Sequence, residues 1–363
     1  MRVLVAMLTF ALAPAVLAQP DVPIKAFCVD FNWGPGGENG FAPPGLWADA
    51  DPKAHVDWYA ALGANTIQTF AVSCNGYAWY KNGLVPEQPG LKSDFLPEMV
   101  RLGHARGMKV MGYFCIGSNT RWGKEHPEYN YGAPSSPHIV YADAYLDFLA
   151  ASISDALTKT GMDGFMIDWV WMPDGIGDAR KTAGGNWLDA EKTLYEHLMN
   201  APFPGENKLT PTDKTAYDRA CLDRLWKRIH DAAKASKPDC VIWLSCCDLA
   251  HPSVAGSPML REVDWLMNEH PDPVRLAALL DAAPKGQRII QCLVGWGDQH
   301  DARAVLTNPA RRVQDIYGFA KPDDKTSLPL PVAEYLAKPL NEFQGNDKNI
   351  AVLGRFYNEI KLK

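Results

Sequence analysis

The chain has 363 residues, 47% of them hydrophobic and 21% charged, with a formal net charge of −6 at neutral pH. That balance excludes a disordered or collagen-like chain. It also lacks the Lys/Arg stripe that would neutralise phosphates, so nucleic acid is not an expected partner.

The first eighteen residues read as an export signal. Met1-Arg2 is a short basic start, Val3 to Ala13 is apolar except for Thr9, and Val16-Leu17-Ala18 offers small residues for cleavage before Gln19-Pro20. About eleven apolar residues are too few to span a bilayer, which needs about twenty. The expected mature protein therefore begins after Ala18, is secreted or periplasmic, and has no membrane partner. Residues 19–363 are expected to form a single domain, since barrels of about 250 residues or more stand as one.

From there, short apolar runs of strand length alternate with helical patterns. Strands are expected at 24–33, 66–74, 109–117, 164–171, 240–247, 265–269, 287–295 and 316–321. Helices are expected between them at 51–63, 95–107, 139–161, 213–236, 258–262, 273–283 and 301–307, then 332–340 and an amphipathic tail. Gly63, Gly107 and Gly161 are natural stops. Eight strand–helix units with strands apolar on both faces predict an α/β fold, a (β/α)8 TIM barrel. A long insertion follows the fourth strand, from Met172 to Thr212, with a helical stretch at 188–198. It is expected to shape the cleft or to pack on a neighbouring subunit.

Several chemistries drop out. Gly34-Pro35-Gly36-Gly37-Glu38-Asn39-Gly40 has Asn39 where a dinucleotide fingerprint needs its third glycine, and Pro35 removes an amide. No Walker A motif or GxSxG elbow occurs. His126, His251 and His270 each precede Pro without metal-ligand spacing, so neither a metal nor an organic cofactor is expected. Of the eight cysteines, Cys28, Cys115, Cys246, Cys247 and Cys292 lie in strand-like runs and read as buried thiols. One bridge, or a vicinal Cys246–Cys247 bond, stays open.

A barrel carries its chemistry at the C-terminal ends of its strands. Those ends present Asp30, Asn32 and Trp33; Ser73, Cys74 and Asn75; Ser118 and Asn119; Asp168, Trp169 and Trp171; Asp248; Asn268, Glu269 and His270; Trp296 and Asp298; and Lys321 and Asp323. Eight tryptophans (33, 47, 79, 122, 169, 171, 187 and 296) fall at strand ends or on the following loops. Indole faces beside carboxylates and amides suit sugar rings, so an oligosaccharide or polysaccharide is the expected substrate.

Asp168, closing an apolar strand beside Trp169 and Trp171, is the candidate nucleophile. Glu269 is the candidate acid/base. Alternate strands lie about 10 Å apart, and inward-leaning side chains close that to the roughly 5.5 Å of a retaining glycosidase. Asp264, Asp248, Asp298 and Asp174 compete with Glu269 for that role. Asp30, Asn32, Trp33, Asn75, Tyr113, Asn119, Trp169, Trp171 and Trp296 are the expected substrate contacts.

These residues carry a resemblance. Thr69-Phe70-Ala71-Val72-Ser73-Cys74-Asn75-Gly76-Tyr77, Gly107 to Tyr113, and Asp163-Gly164-Phe165-Met166-Ile167-Asp168-Trp169-Val170-Trp171 resemble strand segments of the α-L-fucosidase family, glycoside hydrolase family 29. They resemble more closely the related uncharacterised bacterial hypothetical glycosyl hydrolases, whose loop matches His126-Pro127-Glu128-Tyr129. The resemblance implies a nucleophile's role for Asp168, and does not carry the acid/base to Glu269. Cys74 and Asn75 stand where fucosidases have a His-His pair that holds sugar hydroxyls, so it implies glycoside hydrolysis more than fucose. The expected function is an exported, retaining, fucosidase-like glycoside hydrolase. The alternatives are an inactive carbohydrate-binding barrel, or a hydrolase or lyase of another polysaccharide bond. Oligomeric state is not legible.

Overall fold

The computed structural model describes residues 22–132, 138–175, 179–182, 184–246, 249, 251–269, 284, 287–294, 302–307 and 314–359. All eight expected strands form: β1 Lys25–Val29, β2 Thr66–Gln68, β3 Lys109–Cys115, β4 Gly164–Asp168, β5 Val241–Cys246, β6 Trp265–Asn268, β7 Arg288–Val294 and β8 Ile316–Ala320. They pair in parallel in chain order, and β8 returns to β1 to close the barrel. The expected helix over 273–283 lies outside the described residues.

Helix α1, Pro52–Leu62, starts where the Asp51 carboxylate accepts from Lys53 N and ends at Gly63, whose φ of +87° suits glycine. The helices Asp143–Thr160 and Pro211–Ser236 pack against each other outside β4 and β5. Strand β2 is shorter than the apolar run suggested. Ala71 N and Val72 N both donate to Tyr113 O, two residues against one, and this bulge breaks the ladder before a single Val72–Phe114 bridge resumes it.

Side chains alternate across each strand. Phe27 faces outward onto Trp58 of α1, while Gln68 and Tyr317 meet inside, the Tyr317 hydroxyl donating to Gln68 Oε1 at 2.8 Å. Trp243, stacked edge-on against Trp265 and Tyr317, plugs the barrel below its mouth.

The opposite, N-terminal rim is cross-braced by one repeated device. A polar residue just before each even-numbered strand accepts from a backbone amide of the odd-numbered segment beside it. Asn65 Oδ1 accepts from Lys25 N, Asp163 Oδ2 from Val110 N, Asp264 Oδ2 from Ile242 N and Asp315 Oδ1 from Ile24 N, at 2.7–2.8 Å.

Gly164 opens β4 against Val241 of β5, and a Cβ there would lie 2.0 Å from Val241 O. The obstacle is backbone in a barrel ladder, so it cannot swing aside. Gly164→Ala should cost about 3 kcal/mol, the upper end of overpacking, and lower the thermal midpoint of a chain this long by roughly 4 °C. An unchanged midpoint would show that the β4–β5 seam yields freely.

The insertion folds on its own ion-pair core. Its helix Asp189–Met199 falls where sequence placed one, a residue later at each end. Arg180, 7% exposed, bonds Glu191 at 2.8 Å and stacks over Trp187 at 4.2 Å, and Tyr131 donates to the same carboxylate. This core packs on helix Pro211–Ser236 through Tyr217.

Candidate active site

Three carboxylates converge at the mouth, from β1, β4 and β6. Asp168 is the last residue of β4, paired in register with Cys115 of β3. Its Oδ2 accepts from the Tyr113 hydroxyl at 3.0 Å and its Oδ1 from Trp169 N at 2.8 Å. Burial raises its pKa to about 6, against the pull of those two donors.

Asp30, next after β1, is buried, and its Oδ1 accepts from Asn32 N at 2.8 Å. Burial and the Asp168 charge push it to about 7, while the Asn32 amide and Lys321 oppose. Glu269, next after β6, is pushed to about 8 by burial, then by Asp168 and Asp30, with Ser245 opposing. Ser245 Oγ stands 3.5 Å from Glu269 Oε2, a long contact. Burial raises all three pKa values, and repulsion from the neighbouring acids adds to it at Asp30 and Glu269, so the mouth favours the protonated form of its carboxyl groups.

An indole shelf stands beside Asp168. Trp169 and Trp171 lie 4.9 Å apart at 31°, and Trp33 joins Trp169 at 6.5 Å; all three are half-buried. Trp169 has a φ of +59°, a conformation that a bulky side chain adopts only under constraint. The constraint is visible. The Tyr141 hydroxyl donates to the carbonyls of Trp171 at 2.8 Å and Trp169 at 3.3 Å, and His138 Nε2 stands 2.8 Å from Trp171 O. A carbonyl only accepts, so Nε2 carries the proton; burial depresses His138 to about 4 and keeps it neutral. Gly117 lets the Trp169 backbone pass, since a Cβ there would meet Trp169 O at 2.5 Å.

Other expected contacts are placed differently. Asn32 Oδ1 accepts from Cys74 N at 2.8 Å, tying the loops after β1 and β2 together. Asn75 is spent on structure: its amide donates to Ala42 O and Gln88 Oε1, and its oxygen accepts from Tyr77 N and Gln88 Nε2. Asn119 caps the short helix Thr120–Glu125 through Trp122 N. Trp296 lies outside the described residues.

Trp47, Trp79, Trp122 and Trp187 are corrected from cleft to core. Each is at most 5% exposed, packed on Phe31, on Phe31 and Phe95, on Tyr145, and on Arg180 respectively. A large ring on a strand-following loop can turn down into the helix layer as readily as up to solvent.

Two competitors for the acid/base role are also corrected. Asp264 precedes β6 and belongs to the N-terminal rim, bonded to Lys234 at 2.9 Å, on the wrong end of the barrel. Asp174 is bonded to Lys214 at 2.6 Å and Arg180 at 3.3 Å. Burial pushes its pKa up, but the two cations prevail and hold it below the ordinary value, ionised and unable to donate a proton. Asp248 and Asp298 lie outside the described residues. Asp323 closes a turn through Lys325 N and Thr326 N.

Sequence reasoning missed Ser245, Tyr141 and His138. Ser245 was findable: it lies two residues after inward Trp243, on the same face of the strand. Tyr141 and His138 act from a segment with no periodic signal. Six cysteines, Cys28, Cys74, Cys115, Cys221, Cys240 and Cys292, are buried free thiols, and the side chains of Cys246 and Cys247 lie outside the described residues. Among the described residues no group of three or more His, Cys, Asp or Glu could hold a metal ion.

No curated protein matches the sequence. Among solved structures, α-L-fucosidase isoenzyme 2 from Paenibacillus thiaminolyticus superposes with a TM-score of 0.63 and 16% identity, covering 93% of this chain and 49% of that one. Isoenzyme 1 of that organism gives 0.46 and 15% over 86% and 64%. Alpha-L-fucosidase AlfC from Lactobacillus casei, in complex with α-L-fucose product, gives 0.46 and 12% over 87% and 81%. The chain spans about half the length of the first of these, and at such identity the likeness is one of fold. Residues 51–169 match the family of hypothetical glycosyl hydrolase 6, a segment that runs from α1 to one residue past Asp168. The protein is a (β/α)8 barrel with a glycoside hydrolase-like fold similar to that of α-L-fucosidases, and it resembles the hypothetical glycosyl hydrolases over the segment that ends at its strand-four carboxylate.

Proposed function

We propose that this chain is an exported, retaining glycoside hydrolase acting on a fucose-like sugar of an oligosaccharide or polysaccharide. The observation that carries the reading is the convergence of Asp168 and Glu269 from alternate strands into one apolar mouth beside the indole shelf. Asp168, the more acidic of the two, attacks the anomeric carbon as its bond to the leaving oxygen breaks. Glu269 gives that oxygen its proton. A covalent glycosyl–Asp168 ester results, and Glu269, now a carboxylate, takes a proton from the water that cleaves it. Tyr113 steadies the attacking carboxylate, Asp30 reads a sugar hydroxyl, and the indoles carry the ring's C–H face.

The test is a panel of 4-nitrophenyl glycosides, α-L-fucoside included, with the anomer of the first-formed product followed by NMR. Turnover of a panel member with retention is expected. Inverted product would displace Asp168 as nucleophile. A panel and natural fucosylated glycans that all stay intact would favour the second reading, a carbohydrate-binding barrel. That reading draws on one observation: Asn75 has no amide group left to hold a sugar, and its neighbour Cys74 is a buried thiol.

A further inference from the structure

A pocket of about 250 Å³ opens between the loops after β1, β2 and β3, on the same face as the mouth. We propose that it is a second saccharide subsite, one that takes the neutral sugar unit next to the one cleaved; this rests on the reading of the mouth as a glycoside site. The two spaces share a wall. Asp168 bonds Tyr113, whose hydroxyl stands 3.8 Å from Cys74 Sγ, and the next residue, Asn75, lines the pocket. Ala42, also in the lining, donates its amide to Asn32 O in the loop that follows Asp30.

The wall is rigid. Thr120 N and Arg121 N donate to Cys74 O and Asn75 O, and Gly76, at φ +91°, is packed so closely that a Cβ would meet Asn119 Oδ1 at 2.4 Å. The volume lies just below the usual range of ligand pockets and suits one ring rather than a chain.

The chemistry of the lining selects the ligand. Glu38 pairs with Lys124, and Arg121 with Glu125 at 2.6 Å, so two acids and two bases cancel. An ion pair uses one of an ammonium's three donors and leaves most carboxylate lone pairs free. Fixed donors and acceptors side by side match hydroxyl groups, which need both. An anionic ligand would have to break a pair. Ala42 and Pro44 supply an apolar strip. Tyr77 adds a half-exposed ring whose hydroxyl has no hydrogen-bond partner among the described residues.

The test is direct binding to the whole protein, by NMR titration with lactose, N-acetyllactosamine, cellobiose and maltose. At least one should saturate wild type. Tyr77→Ala and, with its exposed side chain, Lys124→Ala should each weaken that binding at least tenfold, while Lys53→Ala, at an exposed position of α1 outside the pocket, leaves it unchanged. Absence of saturation by all four overturns the proposal, as does binding that survives both pocket variants or is weakened as much by Lys53→Ala. Failure of the hydrolase reading is seen separately, as intact aryl glycosides alongside persistent disaccharide binding.

Discussion

Asp168→Ala is expected to lower kcat on the best aryl glycoside by about 10⁴-fold, the scale on which loss of a nucleophile is felt and about 5 kcal/mol of transition-state stabilisation. The cut removes the attacking atom but leaves the shelf, Glu269 and the barrel in place. KM should therefore move little. A small anion such as azide, seated where the carboxylate stood, should restore part of the rate and yield a glycosyl azide of inverted configuration. Tyr113→Phe separates attack from its support. It removes only the donor to Asp168 Oδ2, so its loss should be modest and its acid limb should move to higher pH, because the carboxylate loses a bond that favours ionisation. Activity that persists in Asp168→Ala would take the nucleophile away from β4.

The second large effect is on pH. Asp168 must be ionised to attack and Glu269 protonated to donate, so kcat/KM should rise through about pH 6, fall through about pH 8 and peak between them. Beyond each limb the rate should drop about tenfold per unit. Asp30→Asn removes one negative charge that holds the proton on Glu269, so the alkaline limb should shift to lower pH.

The same protons appear in stability. In the unfolded chain these acids ionise near pH 4, whereas the folded chain keeps their protons to about 6, 7 and 8. Between those limits the folded state binds more protons, so their contribution to stability is full below pH 4 and is lost as pH rises toward 8. The neutral isosteres Asp30→Asn and Glu269→Gln should therefore raise the thermal midpoint at pH 8 by several degrees, on the order of a few kcal/mol, and match wild type at pH 4. Equal midpoints at both pH values would place these carboxylates in contact with water.

The barrel was legible because β3, β4 and β8 are buried on both faces, which prints an apolar run that helices do not share. Asp168 and Glu269 were legible because the fold assigns chemistry to one end of each strand. Asp264 shows the limit. It stands just before β6 and Glu269 just after it, so one short strand puts the two carboxylates on opposite rims. Only where that strand starts distinguishes them. Tryptophan position was legible and direction was not: Trp79 and Trp169 both follow strands, and only Trp169 is held up by Tyr141 and Gly117. The bulge at Ala71–Val72 left no mark in the sequence, where Phe70-Ala71-Val72 simply continues the strand pattern.

The four rim braces differ in reach. Three join residues 22 to 53 positions apart, while Asp315 to Ile24 spans 291. Closing that last loop costs about 2 kcal/mol more in chain entropy. The local braces can therefore form while the chain is still being made, but the ring cannot shut until residue 315 has emerged. Until then the growing sheet carries two bare edges, β1 and its newest strand, each able to pair with another unfinished copy. The hazard of this architecture falls on the incomplete chain, and the first strand has the longest wait.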